Sequence, residues 1–390
     1  MHLFKSRKKP ALNGVPFWLR LALPPKPAEP DLDYASGGIA SGLSFTAAHS
    51  HAFLAFGGMM KKMLLTATML LALGAVAQAK DILTVYTYES FVGDYGPGAK
   101  IKSKFEDTCD CEVNWVSLGD GVAVLNRLKL EGKNTKADVV LGLDTNLTAE
   151  AHDLGVFGKH GVDVSRAKVP GGWTDTEFLP YDYGHFAFVY NTEQIKNPPH
   201  SLEDLVNGDP KQKIALEDPR SSTPGLGFLL WMKTVYGEKA AEKWAVLKKR
   251  VLVTAPGWNE AYALFTKGEV SMVFSYVTSP AYHMIEEKTD KYQAANFSEG
   301  HYLQIEVAGL IEASPHKVLA QKFMDFILTP GFQDNIPTIN WMMPASATTA
   351  PLPVEFDKLV KPAKTLLYSP QEVNAHRRDW INEWFKAVNG

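Results

Sequence analysis

From Ile82 to Tyr276 the chain alternates between two hydrophobic periods. Ile82-Leu83-Thr84-Val85-Tyr86-Thr87-Tyr88 reads as a strand, rich in β-branched and aromatic residues. Pro97–Thr108 has helical spacing through Ile101 and Phe105, and Glu112–Val116 alternates like a strand again. Val122–Glu131 predicts a helix with Val124, Leu125 and Leu128 on its apolar side, stopped by Gly132. Ala137–Leu143 is dominated by apolar residues and reads as a buried strand. Strand and helix in turn predict an α/β fold with a mainly parallel sheet.

Phe178–Tyr190 breaks this rhythm. It is a β-forming, aromatic run longer than an ordinary strand. A strand crossing from one lobe to another, with Gly184 as its soft point, accounts for the length. After the turn at Asn197-Pro198-Pro199 a second α/β unit follows. Its strands are expected at Lys213–Leu216, Val251–Val253 and Val270–Tyr276, and its helices near Gly225–Tyr236, Glu238–Lys249 and Trp258–Lys267. Leu303–Leu310 reads as a strand returning to the first unit, followed by helices at His316–Leu328 and Gln371–Val388. The expected division is 80–182 with 283–345 as lobe 1, and 183–282 with 346–390 as lobe 2.

The stretch before Lys80 has a different character. Lys61 and Lys62 precede an apolar block, Met63–Val76, that ends in Ala77-Gln78-Ala79. A charged start, a short apolar centre and small residues at a cleavage point make a secretory signal over 60–79. The block is shorter than the roughly 20 residues that span a bilayer, so export and release are expected, with a membrane anchor or core helix as the alternative. Residues 1–59 combine Lys5, Arg7, Lys8 and Lys9 with a Pro24-Pro25-Lys26-Pro27 run and show no sustained period. They are expected to be a poorly ordered extension from a translation start placed too early, the true one being Met59, Met60 or Met63.

From Lys80 onward there are 32 Lys/Arg against 40 Asp/Glu, a formal charge of −8. That balance disfavours nucleic acid as a partner and suits a neutral or cationic ligand. The chain has two cysteines, Cys109 and Cys111. In an oxidising compartment such neighbours are expected to pair, as a local clasp between a helix end and a strand. A redox pair or half a metal site are the alternatives, although no further cysteine completes a thiolate zinc site.

Four polar turns fall after strand ends, where α/β folds place ligands. They are Thr87–Phe91, Gly119-Asp120-Gly121, Arg220–Gly225 and Tyr276–Tyr282. Ser222 or Thr223 can cap the following helix with Pro224 in its first turn, which leaves free N–H groups at a positive dipole end. Capping alone also explains that pattern. Tyr88, Trp258, Tyr276, Tyr282 and Trp341 lie at or near these turns or later in the chain, and such rings stack on sugars or on cationic heteroaromatics. Each taken singly also fits a core position. No Gly-x-Ser-x-Gly, His-Glu-x-x-His or Walker pattern occurs, so no catalytic residue is assigned.

Several longer runs carry a resemblance. Leu83–Tyr88, Ala137–Asp144, Val169-Pro170-Gly171-Gly172-Trp173, Ser222–Gly227, Thr278–His283 and Ala294–Tyr302 resemble the periplasmic thiamine-binding proteins of ABC importers, and so does the Cys-x-Cys pair. The resemblance spans nearly all of residues 81–390. It implies an α/β, two-lobed type II periplasmic-binding fold that closes on thiamine, thiamine monophosphate or thiamine diphosphate. It implies a ring cage from Tyr88, Tyr276, Tyr282 and Trp341, and phosphate or hydroxyethyl contacts from Asp120, Gly121, Ser222, Thr223 and Trp258. It further implies a periplasmic monomer without cofactor or metal, serving a membrane permease. The family pattern Thr-Gly-Asn-Trp-Met-Tyr-Pro stands here as Thr338-Ile339-Asn340-Trp341-Met342-Met343-Pro344. Ile339 is bulkier than glycine, and Met343 lacks a hydroxyl. The rival readings on the same fold are a thiamine-degrading enzyme and a ferric-ion or polyamine binder. Iron would favour adjacent tyrosines, which the chain lacks, and a polyamine would favour several cleft carboxylates, of which the turns supply few.

Overall fold

The computed structural model describes residues 80–390. The expected extension and export signal fall outside those residues. Among the described residues eleven strands make up one sheet, with β8, β10 and β11 off its main path: β1 Asp81–Thr87, β2 Cys111–Ser117, β3 Val139–Asp144, β4 Phe178–Asn191, β5 Ile214–Glu217, β6 Val251–Ala255, β7 Met272–Tyr276, β8 Tyr292–Ala294, β9 His301–Leu310, β10 Met343–Pro344 and β11 Thr365–Leu366. The order along the path is β2-β1-β3-β9-β4-β7-β5-β6. The helices used below are α1 Gly98–Glu106, α2 Gly121–Glu131, α3 Thr148–Asp153, α4 Thr223–Tyr236, α5 Ala240–Leu247, α6 Trp258–Thr266, α7 Ser279–Ile285 and α8 Pro370–Asn389.

The outer strands are parallel, as the alternating pattern predicts: β1 pairs with β2 and β3, and β5 with β6 and β7. The central ones are not. β9 runs antiparallel to both β3 and β4, and β4 runs antiparallel to β7. A chain that crosses between two halves and comes back must pass in opposite directions, so the connecting strands cannot share one sense.

β4 is the crossing strand that its length suggested. Phe178–His185 pair with β9, and Phe186–Tyr190 pair with β7. The change of partner falls between His185 and Phe186, one residue past Gly184. An added Cβ at Gly184 would lie 2.9 Å from Met342 Cε and 3.2 Å from Tyr276 Cδ1, so the glycine also makes room for two side chains. One apolar cluster continues across this crossing, from Tyr86 and Val140 through Phe178 and Phe186 to Phe188, Trp231 and Phe274. A second lies under the first half, and a third packs α6 on β5 and β7. Continuity of buried apolar surface holds the halves to one core.

Two segments differ from the expected division. The cut at 282/283 falls inside α7, whose His283 sits 2.8 Å from the Tyr262 hydroxyl of α6 in the second half. The chain leaves that half only along β9. The C-terminal helix α8 begins with a reciprocal cap between Ser369 and Glu372 and packs on α5 of the second half. It also reaches the first half, where Arg377 pairs with Glu150 and Asn374 donates to Asp153 at 2.9 Å. It bridges the two halves rather than belonging to one. The cysteines are joined to each other just after α1, with Cys111 opening β2.

Candidate functional site

Three groups of side chains meet where the two halves face each other. The first is aromatic. Trp341 and Tyr282 pack edge to face with centroids 5.4 Å apart. Tyr276 stacks on Phe186 at 5.0 Å and donates its hydroxyl to Gln304 Oε1 at 2.6 Å. Tyr88 is nearly buried, while Tyr276, Tyr282, Trp258 and Trp341 are half-buried. A half-buried ring is held on one face and open on the other, which is what stacking on a ligand requires. Trp341 has a left-handed backbone, φ 58°, directly after a π-turn over Ile336–Asn340. That conformation costs a bulky residue roughly 1–3 kcal/mol and holds the indole out from the turn. Ile339 lies within the π-turn, and Met343 is fixed by pairing with Tyr183 of β4.

The second group gathers at two helix starts. Ser222 caps α4 by accepting from the Gly225 N–H at 3.3 Å, with Pro224 in the first turn. Asp120 precedes α2 in the first half and accepts the Trp258 N–H of α6 in the second half at 3.2 Å. It also bonds Ser222. Gly121 is required by closeness: a Cβ there would lie 2.1 Å from Gly142 O and 2.8 Å from Thr223 Cγ2. The five residues predicted for the phosphate or hydroxyethyl end therefore come together across the two halves. Asn126 adds a bond to Arg220 O at 3.5 Å, and Tyr95 one to Asn259. Burial pushes the Asp120 carboxyl up to about 6. Glu217, at the end of β5 and close enough to Asp120 to feel its charge, is pushed well above the carboxylate range, chiefly by burial.

The third group was not foreseen. Asp144, Glu306 and Asp182 stand side by side on β3, β9 and β4, because the register pairs Glu306 with both aspartates. Bulges at Leu141/Leu143 and Pro180/Asp182 flank this row and set which side chains turn inward. Tyr88 donates to Glu306 Oε2 at 3.1 Å, and Asn340 donates to Asp182 Oδ2 at 2.6 Å. Gln304 donates to Asp144 Oδ2 at 3.1 Å. Burial pushes Asp144 to about 6 and Asp182 to about 7, and it raises Glu306 well above the carboxylate range, with Asp182 adding to the effect. Among the described residues no lysine or arginine hydrogen-bonds any of the three. The row forms an acidic floor under Tyr88, Tyr276 and Trp341.

A family model described as bacterial extracellular solute-binding protein matches residues 87–334. The chain belongs to that family. Among curated relatives of this solute-binding protein, the thiamine-binding periplasmic protein of Brucella abortus is 59% identical over 319 residues, covering 82% of this chain and 96% of the relative. That of Escherichia coli K12 is 54% identical over 331 residues, covering 85% and 100%. A solved structure titled periplasmic thiamin binding protein superposes with a TM-score of 0.78 at 54% identity, covering 80% of this chain and 98% of that one. The apo ferric ion-binding protein A of Pasteurella haemolytica, at 15% identity and TM-score 0.64, shares the fold alone. The fold of this solute-binding protein is thus the type II periplasmic-binding arrangement of a mixed, curled sheet with helices around it.

Sequence reasoning on the solute-binding protein found the turns and the rings and missed the floor. A signal existed. Asp182 and Glu306 are the single acids in strand runs that are mostly apolar or aromatic, where a charge is costly unless it has a purpose. Looking for carboxylates only in the turns passed over the strands that carry them.

Proposed function

We propose that this chain is the substrate-binding subunit of an ABC importer, working in the periplasm, with thiamine as its ligand and the mono- and diphosphate as further ligands. The observation that carries the reading is the pairing of an aromatic cage with an acidic floor that, among the described residues, no lysine or arginine hydrogen-bonds. A cationic heteroaromatic ring fits both, through stacking and cation–π contact from above and charge from below. Kinship with proteins named for thiamine binding in the periplasm supports the same reading.

In this reading Tyr88, Tyr276, Tyr282 and Trp341 hold the pyrimidine and thiazolium rings. Asp120, Gly121, Ser222, Thr223 and Trp258 hold the hydroxyethyl or phosphate end, where free N–H groups at the start of α4 receive an anion and an ionised Asp120 favours the hydroxyl form. Binding is reversible, needs no cofactor and changes no covalent bond. The protein acts as a monomer and delivers its ligand to a membrane permease. The two cysteines are bonded to each other, so neither serves as a nucleophile on thiamine.

The test is calorimetric titration of the purified protein with thiamine, with mass spectrometry of the denatured protein for ligand that co-purifies. One-to-one binding with thiamine recovered intact is expected. No binding after unfolding and refolding to strip retained ligand would refute the proposal, and turnover in the presence of aniline would replace it with the degrading enzyme.

A further inference from the structure

We infer that Asp182 and Glu306 share a proton beneath the aromatic cage and that the pair releases a proton to solvent when a cationic ring settles above Tyr88. The inference rests on the thiamine reading and concerns how the site distinguishes a fixed cation from a neutral molecule of the same shape.

The geometry begins with the register. Asp182 and Glu306 are directly opposed on β4 and β9, and both are buried. Asp182 uses Oδ2 for the Asn340 amide, while its buried Oδ1 receives no donor and the Glu306 carboxyl is its neighbour. Two carboxyls so placed in a medium of low polarity do not both carry charge while no cation stands beside them, and a proton between them satisfies the orphaned oxygen. Glu306 continues upward to the Tyr88 hydroxyl, and Tyr88 also meets the Tyr181 hydroxyl at 3.3 Å and the Asn340 amide at 3.2 Å. Asn340 is joined in sequence to Trp341. Each route out of the pair therefore ends on a residue of the cage or directly beneath it.

Among the described residues no lysine or arginine hydrogen-bonds or ion-pairs with Asp182 or Glu306. Asp144 faces Glu306 from β3, Tyr88 from the turn after β1, Tyr181 from β4 and Tyr276 from β7. Arg377 of α8 acts on Asp144 only at a distance, and Asp120 adds negative charge beyond Tyr276. The ligand is then the missing cation. As its charge arrives, the ionised form of the pair becomes favourable and a proton leaves to bulk water. A neutral ring offers no such exchange.

The experiment is titration of the purified protein with thiamine at about pH 7 in phosphate and in Tris, whose heats of protonation differ widely. The difference in apparent binding heat counts protons. Release of roughly half to one proton per thiamine is expected, with affinity rising between about pH 6 and about pH 8. The double variant Asp182→Asn/Glu306→Gln keeps the shapes and removes both acids. It is expected to bind about tenfold more weakly at about pH 8 and to lose most of the release; any share from Asp120, Asp144 or the pyrimidine remains and is subtracted. Equal heats in the two buffers for the unaltered protein overturn the inference, whether or not the variant folds. Undiminished release from the double variant overturns it too and assigns the proton to Asp120 or Asp144. Failure of the unaltered protein to bind thiamine refutes the functional reading, a different result from binding without release.

Discussion

The roof and the floor of this site are built from opposite materials. The roof is four aromatic rings, three of them half-buried, placed just after β1, at the end of β7, on α7 and after a π-turn. The floor is three buried carboxyls placed by the pairing of three strands. Rings that face a cleft lose little if the cleft is empty. Buried acids without a cation are costly in the empty protein and become favourable when a positive ligand arrives. The roof supplies shape, and the floor supplies a charge requirement.

The largest disruption is expected where roof and floor join. Gly142 has φ 103°, and a Cβ there would fall 2.2 Å from Tyr88 Cδ1. Gly142→Ala should therefore displace Tyr88 from Glu306 and destabilise the protein by about 3 kcal/mol or more, through strain and overpacking together. Thermal unfolding with and without thiamine measures this; an unchanged midpoint would show that roof and floor are not mechanically joined there. Next in size, Trp341→Ala and Tyr282→Ala remove the edge-to-face pair. Each should weaken thiamine binding about tenfold or more in calorimetry, with little change in stability. Unchanged affinity in both would remove these rings from the roof.

The floor has the opposite signature. Its carboxyls ionise at higher pH in the fold than when unfolded, so the fold binds more protons. Stability is therefore lost as pH rises from the ordinary carboxylate range, near 4, through about 7 for Asp182. Asp182→Asn should raise the melting temperature of the ligand-free protein by a few degrees at about pH 8, at roughly 2–4 °C per kcal/mol, and give no gain near pH 4. Equal effects at both pH values would contradict a charged floor. The smallest effect concerns the far end. Asp120→Asn removes a negative charge beside the start of α4 and should shift the preference between thiamine diphosphate and thiamine about threefold toward the diphosphate, measured as a ratio of dissociation constants. A shift the other way would separate Asp120 from the phosphate end.

The same division explains what could be read from the sequence. Strand and helix periods marked nearly every outer element, and the long run Phe178–Tyr190 announced a crossing strand because no ordinary strand needs that length. Turn chemistry led to Asp120, Gly121, Ser222 and Thr223, since caps, prolines and glycines are local signals. The floor is a product of register. Asp144, Asp182 and Glu306 are far apart in the chain, and nothing local to any one of them says that two bulges and two antiparallel pairings will set them in a row. The antiparallel sense of β9 and β4 was hidden for the same reason, because direction belongs to a pair of strands and not to either alone. The role of α8 as a bridge likewise depends on Arg377 meeting Glu150, a contact its own amphipathic pattern does not encode.

β4 and β9 link the two halves, and the same strands carry Asp182 and Glu306, next to the point where β4 changes partner. A torque that splays the halves bends this ribbon and alters the gap between the two acids. Grip on the ligand and posture of the molecule are thus geared through a single part. A membrane partner that pries the halves apart would loosen its cargo electrically as well as sterically, without touching the pocket.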